Sequence, residues 1–166
     1  MNIQELATTS LTAACEALLP AATIDGSGEG AEPLRIAAII GFTSDDVRGT
    51  FGVAADVRGL ERVRKHMGAG DVGAEDSLGE MANLLAGHVK RSFAACGQNV
   101  TITPPLVLRG LAIEVCGSRG ARAEFVSRST TDRVTVWLDC DSPEGLQLQA
   151  TEACGTVVGE GEALLF

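Results

Sequence analysis

The amino-acid sequence predicts an α+β fold in which two long helices pack on a largely antiparallel β-sheet. Apolar residues recur at helical spacing in residues 3–19 and again in residues 74–96, which indicates the two helices. The remaining apolar, β-favouring runs are short and are separated by turn-forming residues, which indicates the sheet. A chain of 166 residues, of which 45% are hydrophobic, is long enough to bury one core.

The N-terminal part of the chain predicts a helix followed by a β-hairpin. Pro20 should end the first helix, because proline lacks the N–H group that a continuing helix needs. A Gly-rich polar loop covers residues 23–33, and two β-favouring runs, residues 34–42 and 49–54, enclose a turn-forming segment. The glycines of these runs flank strands and do not precede a helix, so they indicate turns and close packing, not a phosphate-binding loop.

A short helix with basic side chains is predicted next. Asp56 can cap a helix over residues 57–67, because its carboxylate can accept from the first free N–H groups. Arg62, Arg64, Lys65 and His66 should make the outer surface of this helix basic. A solvated surface is the preferred interpretation, and docking of an acidic partner is the alternative.

The central helix, residues 74–96 followed by Gly97, carries two distinct rows of side chains. Its predicted buried stripe comprises Leu78, Ala82, Leu85, Val89, Phe93 and Cys96. Asp76, Glu80, Asn83 and Gly87 follow one another at steps of four, three and four residues, so they form one row on the opposite side. A carboxylate and a carboxamide are thus presented one turn apart, although an amphipathic helix often carries such groups simply as its solvated side.

Four segments after the central helix read as strands of the sheet. They are residues 100–108, 111–116, 121–127 and 133–139. Pro104 and Pro105 should lie at a sheet edge or a strand start, because proline cannot donate a ladder hydrogen bond. We expect one domain over residues 1–140, followed by a C-terminal extension over residues 141–166 that forms an added strand or a partly ordered tail.

Charge and hydropathy exclude several classes of protein. The net charge of −9 disfavours binding to nucleic acid or to an anionic membrane surface. The apolar N-terminal stretch contains Glu5 and Glu16 and has no Lys or Arg before Arg35, unlike a secretory leader. No apolar run reaches the length of a membrane span, so we expect a soluble, cytoplasmic protein.

The cysteines and histidines predict no metal centre. The five cysteines, Cys15, Cys96, Cys116, Cys140 and Cys154, are odd in number and contain no C-x-x-C pair, so we expect reduced, mostly buried thiols. His66 and His88 have no Cys or carboxylate at a ligand spacing.

The row on the central helix resembles the motif of the chemotaxis phosphatase family that comprises CheC, CheX and FliY. That motif is Asp/Ser-x-x-x-Glu-x-x-Asn, usually followed by Gly one turn later, and Asp76, Glu80, Asn83 and Gly87 match it. The Ile-Ile-Gly-Phe-Thr-Ser run from Ile39, the Gly-Thr-Phe-Gly strand and the Pro-containing entry into Leu-Arg-Gly strengthen the resemblance over residues 1–140. The single copy of the motif favours a CheX-like member, since CheC and FliY carry two.

The resemblance implies a phosphatase that acts on the phosphoaspartate of a CheY-like response-regulator receiver. Asn83 would position the attacking water, and Glu80 would pair with a lysine of the receiver. Asp76 and Gly87 would bind the partner: Gly87 allows close approach of its backbone, whereas Asp76 can equally be a helix-terminal charge or cap. The protein would need no cofactor of its own, and Mg²⁺ would come with the receiver.

The resemblance also implies a homodimer joined through the sheets, with edge strands available after residue 100. Two other functions stay open at this stage. The chain could be a non-catalytic adaptor for a receiver or another two-component signalling protein, or an interaction domain in which the row is only a solvated surface.

Overall fold

The computed structural model describes residues 1–19, 32–68, 73–117, 120–128 and 132–148, and it confirms the predicted α+β class. The elements of these ranges are, in chain order, α1 (Ile3–Leu18), β1 (Leu34–Thr43), β2 (Arg48–Ala55), α2 (Val57–His66), α3 (Ala74–Ala94), β3 (Thr101–Ile102), β4 (Leu106–Ile113), β5 (Ala121–Arg128) and β6 (Arg133–Asp141).

The six strands form one antiparallel sheet in the order β3-β1-β2-β6-β5, with β4 also paired to β1. The predicted hairpin is confirmed: β1 and β2 pair along their length, with Ile40 opposite Phe51. Strands β3 and β4 share the outer edge of β1, and β5 forms the other end of the sheet.

One side of the sheet packs against the helices and forms the main core. Alternate residues of β1, including Ile36, Ala38 and Ile40, are fully or almost fully buried against this layer. The ring of Phe42 meets that of Phe93 on α3 edge to face, with 5.7 Å between ring centroids. Helix α3 is therefore held by the sheet along its apolar stripe.

The two ends of the described chain meet beside α1. Asn2 and Glu5 form a capping box at the start of α1, which satisfies two otherwise free N–H groups. Gln147 forms an antiparallel bridge with Asn2, and Leu148 is buried. Residues 141–148 of the predicted extension thus pack on the domain, whereas residues 149–166, Pro20 and most of the predicted loop lie outside the described residues.

The predicted division of the strands after α3 was wrong. Residues 100–108 and 111–116 were expected to be two strands, but the structure has the short β3, a break at Pro104 and Pro105, and then the single strand β4. Gly110 does not end β4, because a register shift opposite residues 34–36 of β1 absorbs the irregularity. The two prolines lie directly before a strand at the sheet edge, as predicted.

The predicted basic surface of α2 also needs correction. Arg62 turns inward, forms an ion pair with Asp132 at 2.8 Å and donates to the Ser127 hydroxyl at 3.0 Å. Arg64 pairs with Glu61 on its own helix at 3.0 Å. The surface is less basic than the sequence suggested, because acidic partners neutralise two of its four predicted cations.

Candidate active site on the central helix

Helix α3 is bounded by local signals at both ends. Glu75 and Asp76 lie in the first turn, where carboxylates interact favourably with the helix dipole. At the other end Gly97 adopts φ +79°, a left-handed conformation that glycine tolerates, and the Gln98 N–H donates to the Phe93 carbonyl. The helix ends at Ala94, two residues before the predicted end, and a turn then leads to Gly97.

The predicted apolar stripe of α3 is confirmed. Its six members, Leu78, Ala82, Leu85, Val89, Phe93 and Cys96, are all at most 5% exposed. Burial of this stripe fixes the rotation of the helix about its axis, so the row on the opposite side must face outward.

The four residues of that row lie together on a strip of the surface that the described residues leave open. Asp76 and Glu80 are exposed, and Asn83 and Gly87 are half-buried. Within the described parts of the chain, the side chains of Glu80 and Asn83 have no hydrogen-bond or ion-pair partner. Their carboxylate and carboxamide, which lie one turn apart, are therefore available to another molecule.

Asp76 is not the N-cap of α3. The cap is Gly73, which offers no side-chain acceptor, and Asp76 lies three residues further on. Its carboxylate folds back towards the cap, since a Cβ placed on Gly73 would lie 3.2 Å from the Asp76 Oδ2. This position suits a helix-terminal charge, and a direct contact with a partner stays a prediction.

Gly87 is not required by the packing of the fold. Among the described residues, a Cβ placed there would have only the Arg91 Nη1 within 4 Å, at 3.9 Å. By contrast, a Cβ on Gly52 of β2 would collide with the Trp137 ring, so that glycine is required by close packing, as predicted for the hairpin. Glycine lowers helix stability relative to alanine, and no internal contact with the described residues requires it at this position. Gly87 is therefore a candidate for a residue that an external partner requires.

The strip has distinct flanks. On one side Gly79 faces Val107 and Pro105, and Glu75 forms an ion pair with Arg109 of β4. On the outward side Leu84 is 40% exposed and follows Glu80 by one turn.

His88 lies half-buried beside Leu84, on the flank where the sequence places it. Burial lowers the pKa of His88 below its ordinary value, and the nearby Arg91 charge lowers it further. The imidazole therefore favours its neutral form near neutral pH.

Leu84 and Arg91 were not singled out from the sequence as parts of this surface. Their spacing could have indicated them, because Leu84 follows Glu80 and Arg91 follows Gly87 by four residues each.

The described cysteines agree with the predicted reduced state. Cys15, Cys96 and Cys140 are buried, Cys116 is exposed, and Cys154 lies outside the described residues. Burial raises the pKa of the Cys15 thiol to about 12, with a smaller contribution from Glu16. Burial, with a smaller contribution from Asp139, raises the pKa of the Cys140 thiol to about 12 as well.

The described ranges contain neither a membrane-spanning helix nor a metal-binding cluster. No helix in them is long and apolar enough to cross a membrane. No group of three or more His, Cys, Asp or Glu side chains in the same ranges could hold a metal ion.

Solved structures of chemotaxis proteins share the fold. A CheX from Vibrio vulnificus is 18% identical, with a TM-score of 0.63, and the match covers 82% of this chain and 99% of that chain. A CheX from Desulfovibrio desulfuricans is 17% identical, with a TM-score of 0.60 and coverage of 80% and 95%.

A third match is a chain of a CheX–CheY–BeF3–Mg²⁺ complex from Borrelia burgdorferi. It is 18% identical, with a TM-score of 0.54 and coverage of 79% of this chain and 92% of that chain. No curated protein sequence matches the chain.

The sequence model of the family described as chemotaxis phosphatase CheX matches residues 36–126, which is more than half of the chain. The matched segment contains most of β1, the whole of α3 and most of β5. The chain therefore belongs to the CheX family of chemotaxis phosphatases, as the motif on its central helix had indicated.

Proposed function

We propose that this protein hydrolyses the phosphoaspartate of a CheY-like receiver that docks on the open strip of α3. The observation that carries the proposal is the pair Glu80 and Asn83, which lie one turn apart on that strip without internal partners in the described residues. A chain of a CheX–CheY complex shares the fold, which supports a receiver as the partner.

Asn83 would orient the attacking water. Its amide oxygen can accept from the water and its NH₂ group can donate to an oxygen of the phosphoryl group. The water oxygen bonds to phosphorus while the bond from phosphorus to the acyl oxygen breaks, which leaves the receiver's aspartate and inorganic phosphate. The amide does not take up the water's proton, which passes to the phosphate or to solvent, so its contribution is positioning.

Glu80 would fix the orientation of the receiver. Its exposed carboxylate can form a charge-assisted hydrogen bond with a receiver lysine, one turn away from the water held by Asn83. Mg²⁺ would be held by the receiver, and its charge would stabilise the phosphoryl oxygens. The cytoplasmic location predicted from the sequence follows if the partner is a cytoplasmic receiver.

A second copy of the chain is the expected occupant of the free edge of the sheet. Strand β4 pairs only with β1 among the described strands, and it exposes Leu106, Leu108 and Leu111 to 60%, 41% and 84%. An unpaired apolar edge is a template for strand pairing between chains. We propose that the homodimer implied by the resemblance forms through this edge.

The decisive experiment measures the decay of phosphoaspartate on receivers from the same genome, with Mg²⁺ present. We expect the wild type to accelerate decay, Asn83→Ala to lose about 10²-fold in rate because an oriented polar group is removed, and Glu80→Ala to weaken docking. Asn99→Ala and Glu144→Ala change exposed residues of the same types that are not part of the row on α3, so they should behave as wild type.

The same assay separates the alternatives. Binding of a receiver without faster decay would support the adaptor. Neither binding nor faster decay with any receiver would contradict the proposal and leave the row as a solvated surface.

A further inference from the structure

Arg91 places a guanidinium group directly over Gly87. Arg91 is exposed and follows Gly87 by one turn, and its Nη1 lies 3.9 Å from a Cβ placed on Gly87. Helical side chains point back towards the N-terminus, so this guanidinium reaches along the helix in the direction of Asn83. The space that a side chain at position 87 would fill is bordered by the head group of Arg91.

The guanidinium has no ion pair within the described ranges. Five other arginines are paired there: Arg48, Arg62, Arg64, Arg109 and Arg122. Arg91 has neither an ion pair nor a side-chain hydrogen bond with a described residue, although its charge acts on the neighbouring His88. Its planar set of donors is therefore open to a carboxylate or phosphate from outside the chain.

The charges along the strip change sign from one end to the other. Asp76 and Glu80 make the N-terminal half negative, whereas Arg91 makes the C-terminal half positive. A receiver's phosphorylation site is anionic, because the carboxylates that bind Mg²⁺ surround the phosphoryl group. In a chain of net charge −9, the carboxylates of Asp76 and Glu80 alone would repel that anionic site. The positive charge of Arg91 offsets this repulsion close to the position of the reacting phosphoryl group.

We propose that Arg91 is a docking and specificity residue for the receiver, forming an ion pair with a carboxylate at the rim of its phosphorylation site. The inference rests on the proposed function, since it assigns a further contact to the same surface. Arg91 sets affinity and orientation, whereas Asn83 holds the water. Gly87 leaves room for the guanidinium and the receiver together.

The test compares wild type, Arg91→Ala and Arg91→Lys in the phosphoaspartate assay at varied receiver concentration and ionic strength. Arg91→Ala should raise KM about tenfold and change kcat by less than about twofold, as expected for a charge that acts in docking. Arg91→Lys should recover part of the affinity, because it keeps the charge but not the planar fork. KM of the Arg91→Ala protein should also depend less on salt.

Lys65→Ala is the matched control, because it removes one exposed positive charge from α2 instead of α3. An unchanged KM for this control supports a contact specific to Arg91. An equal rise in KM for both variants would attribute the effect to overall charge and overturn the inference.

A measurement without the receiver tests the position of the guanidinium. NMR titration should show that the pKa of His88 rises in Arg91→Ala, because a neighbouring positive charge has been removed. An unchanged pKa would contradict the placement of Arg91 over this part of α3.

The outcomes separate this inference from the proposed function. Failure of the wild type to accelerate decay on any receiver would reject the function and the inference together. If the wild type is active, an unchanged Arg91→Ala variant, or one that loses kcat at constant KM, would reject the inference alone.

Discussion

Replacing Gly87 with alanine should stabilise the protein and impair its function. Gly87 lies inside α3, and in the part of the chain that the structure describes the added methyl group would meet only the Arg91 Nη1, at an ordinary contact distance of 3.9 Å. No clash therefore opposes the helix preference for alanine, which is worth about 0.5–1 kcal/mol. For a chain of this length that gain corresponds to a rise in Tm of roughly 1–4 °C.

The same methyl group should reduce the rate at which a receiver's phosphoaspartate decays. It would stand on the strip between Asn83 and the Arg91 guanidinium, where the partner's backbone is proposed to approach. We expect kcat/KM to fall about tenfold, which corresponds to about 1.4 kcal/mol of lost interaction. Urea denaturation and the decay assay on one preparation would measure both effects.

Gly79→Ala is the matched control for this change. Gly79 is buried on the same helix, and its added methyl group would lie 3.6 Å from Val107 Cγ2, away from the exposed row. We expect the control to keep full activity. If Gly87→Ala were less stable than the wild type, the added methyl group would not fit the open space inferred for it. If Gly87→Ala were fully active, close approach of the partner's backbone to Gly87 would be refuted.

Four further predictions concern the rest of the surface and the fold. Leu84→Ala should raise KM for the receiver while changing the free energy of unfolding by less than about 0.5 kcal/mol, because the Leu84 side chain is 40% exposed beside Glu80. Steady-state kinetics and urea denaturation test this prediction. An unchanged KM would show that Leu84 is not part of the interface. Asp56→Ala should lower the free energy of unfolding by about 1 kcal/mol and Asp56→Asn by less, because the carboxylate accepts from the Gly59 N–H at 2.6 Å; equal losses would contradict the capping role. Burial and the Arg91 charge lower the pKa of His88 from 6.5, so between that lowered pKa and 6.5 the unfolded chain binds more protons than the folded one. The free energy of unfolding should therefore fall as the pH drops through this interval. His88→Gln should flatten that pH dependence in denaturation experiments. Leu108→Lys should convert the proposed dimer to a monomer in gel filtration, and an unchanged elution volume would place the interface elsewhere.

The candidate site was predictable from the sequence because its geometry is local. Steps of three and four residues place Glu80, Asn83 and Gly87 in one row on any helix, and the buried stripe of α3 fixes the side from which that row points outward. The end of the helix was predictable for the same reason, since Gly97 supplies a left-handed conformation at a defined position.

The errors fell where distant parts of the chain meet. Arg62 counts as a surface cation in the sequence, but Asp132, seventy positions away, draws it into a half-buried ion pair. The expected break near Gly110 was wrong, because a register shift against β1 lets β4 continue. Such partners have no fixed spacing in the chain, so periodicity contains no information about them.

The sequence by itself determined the helix, its buried stripe, the row of candidate site residues and, through the motif, the family. Only the tertiary structure decided that the described residues leave the row uncovered, that they leave open space around Gly87 and that the Arg91 guanidinium occupies the edge of that space. The physical reason is that helical spacing arises from hydrogen bonds between near neighbours. Exposure, in contrast, depends on which remote elements pack against the helix and which leave it open.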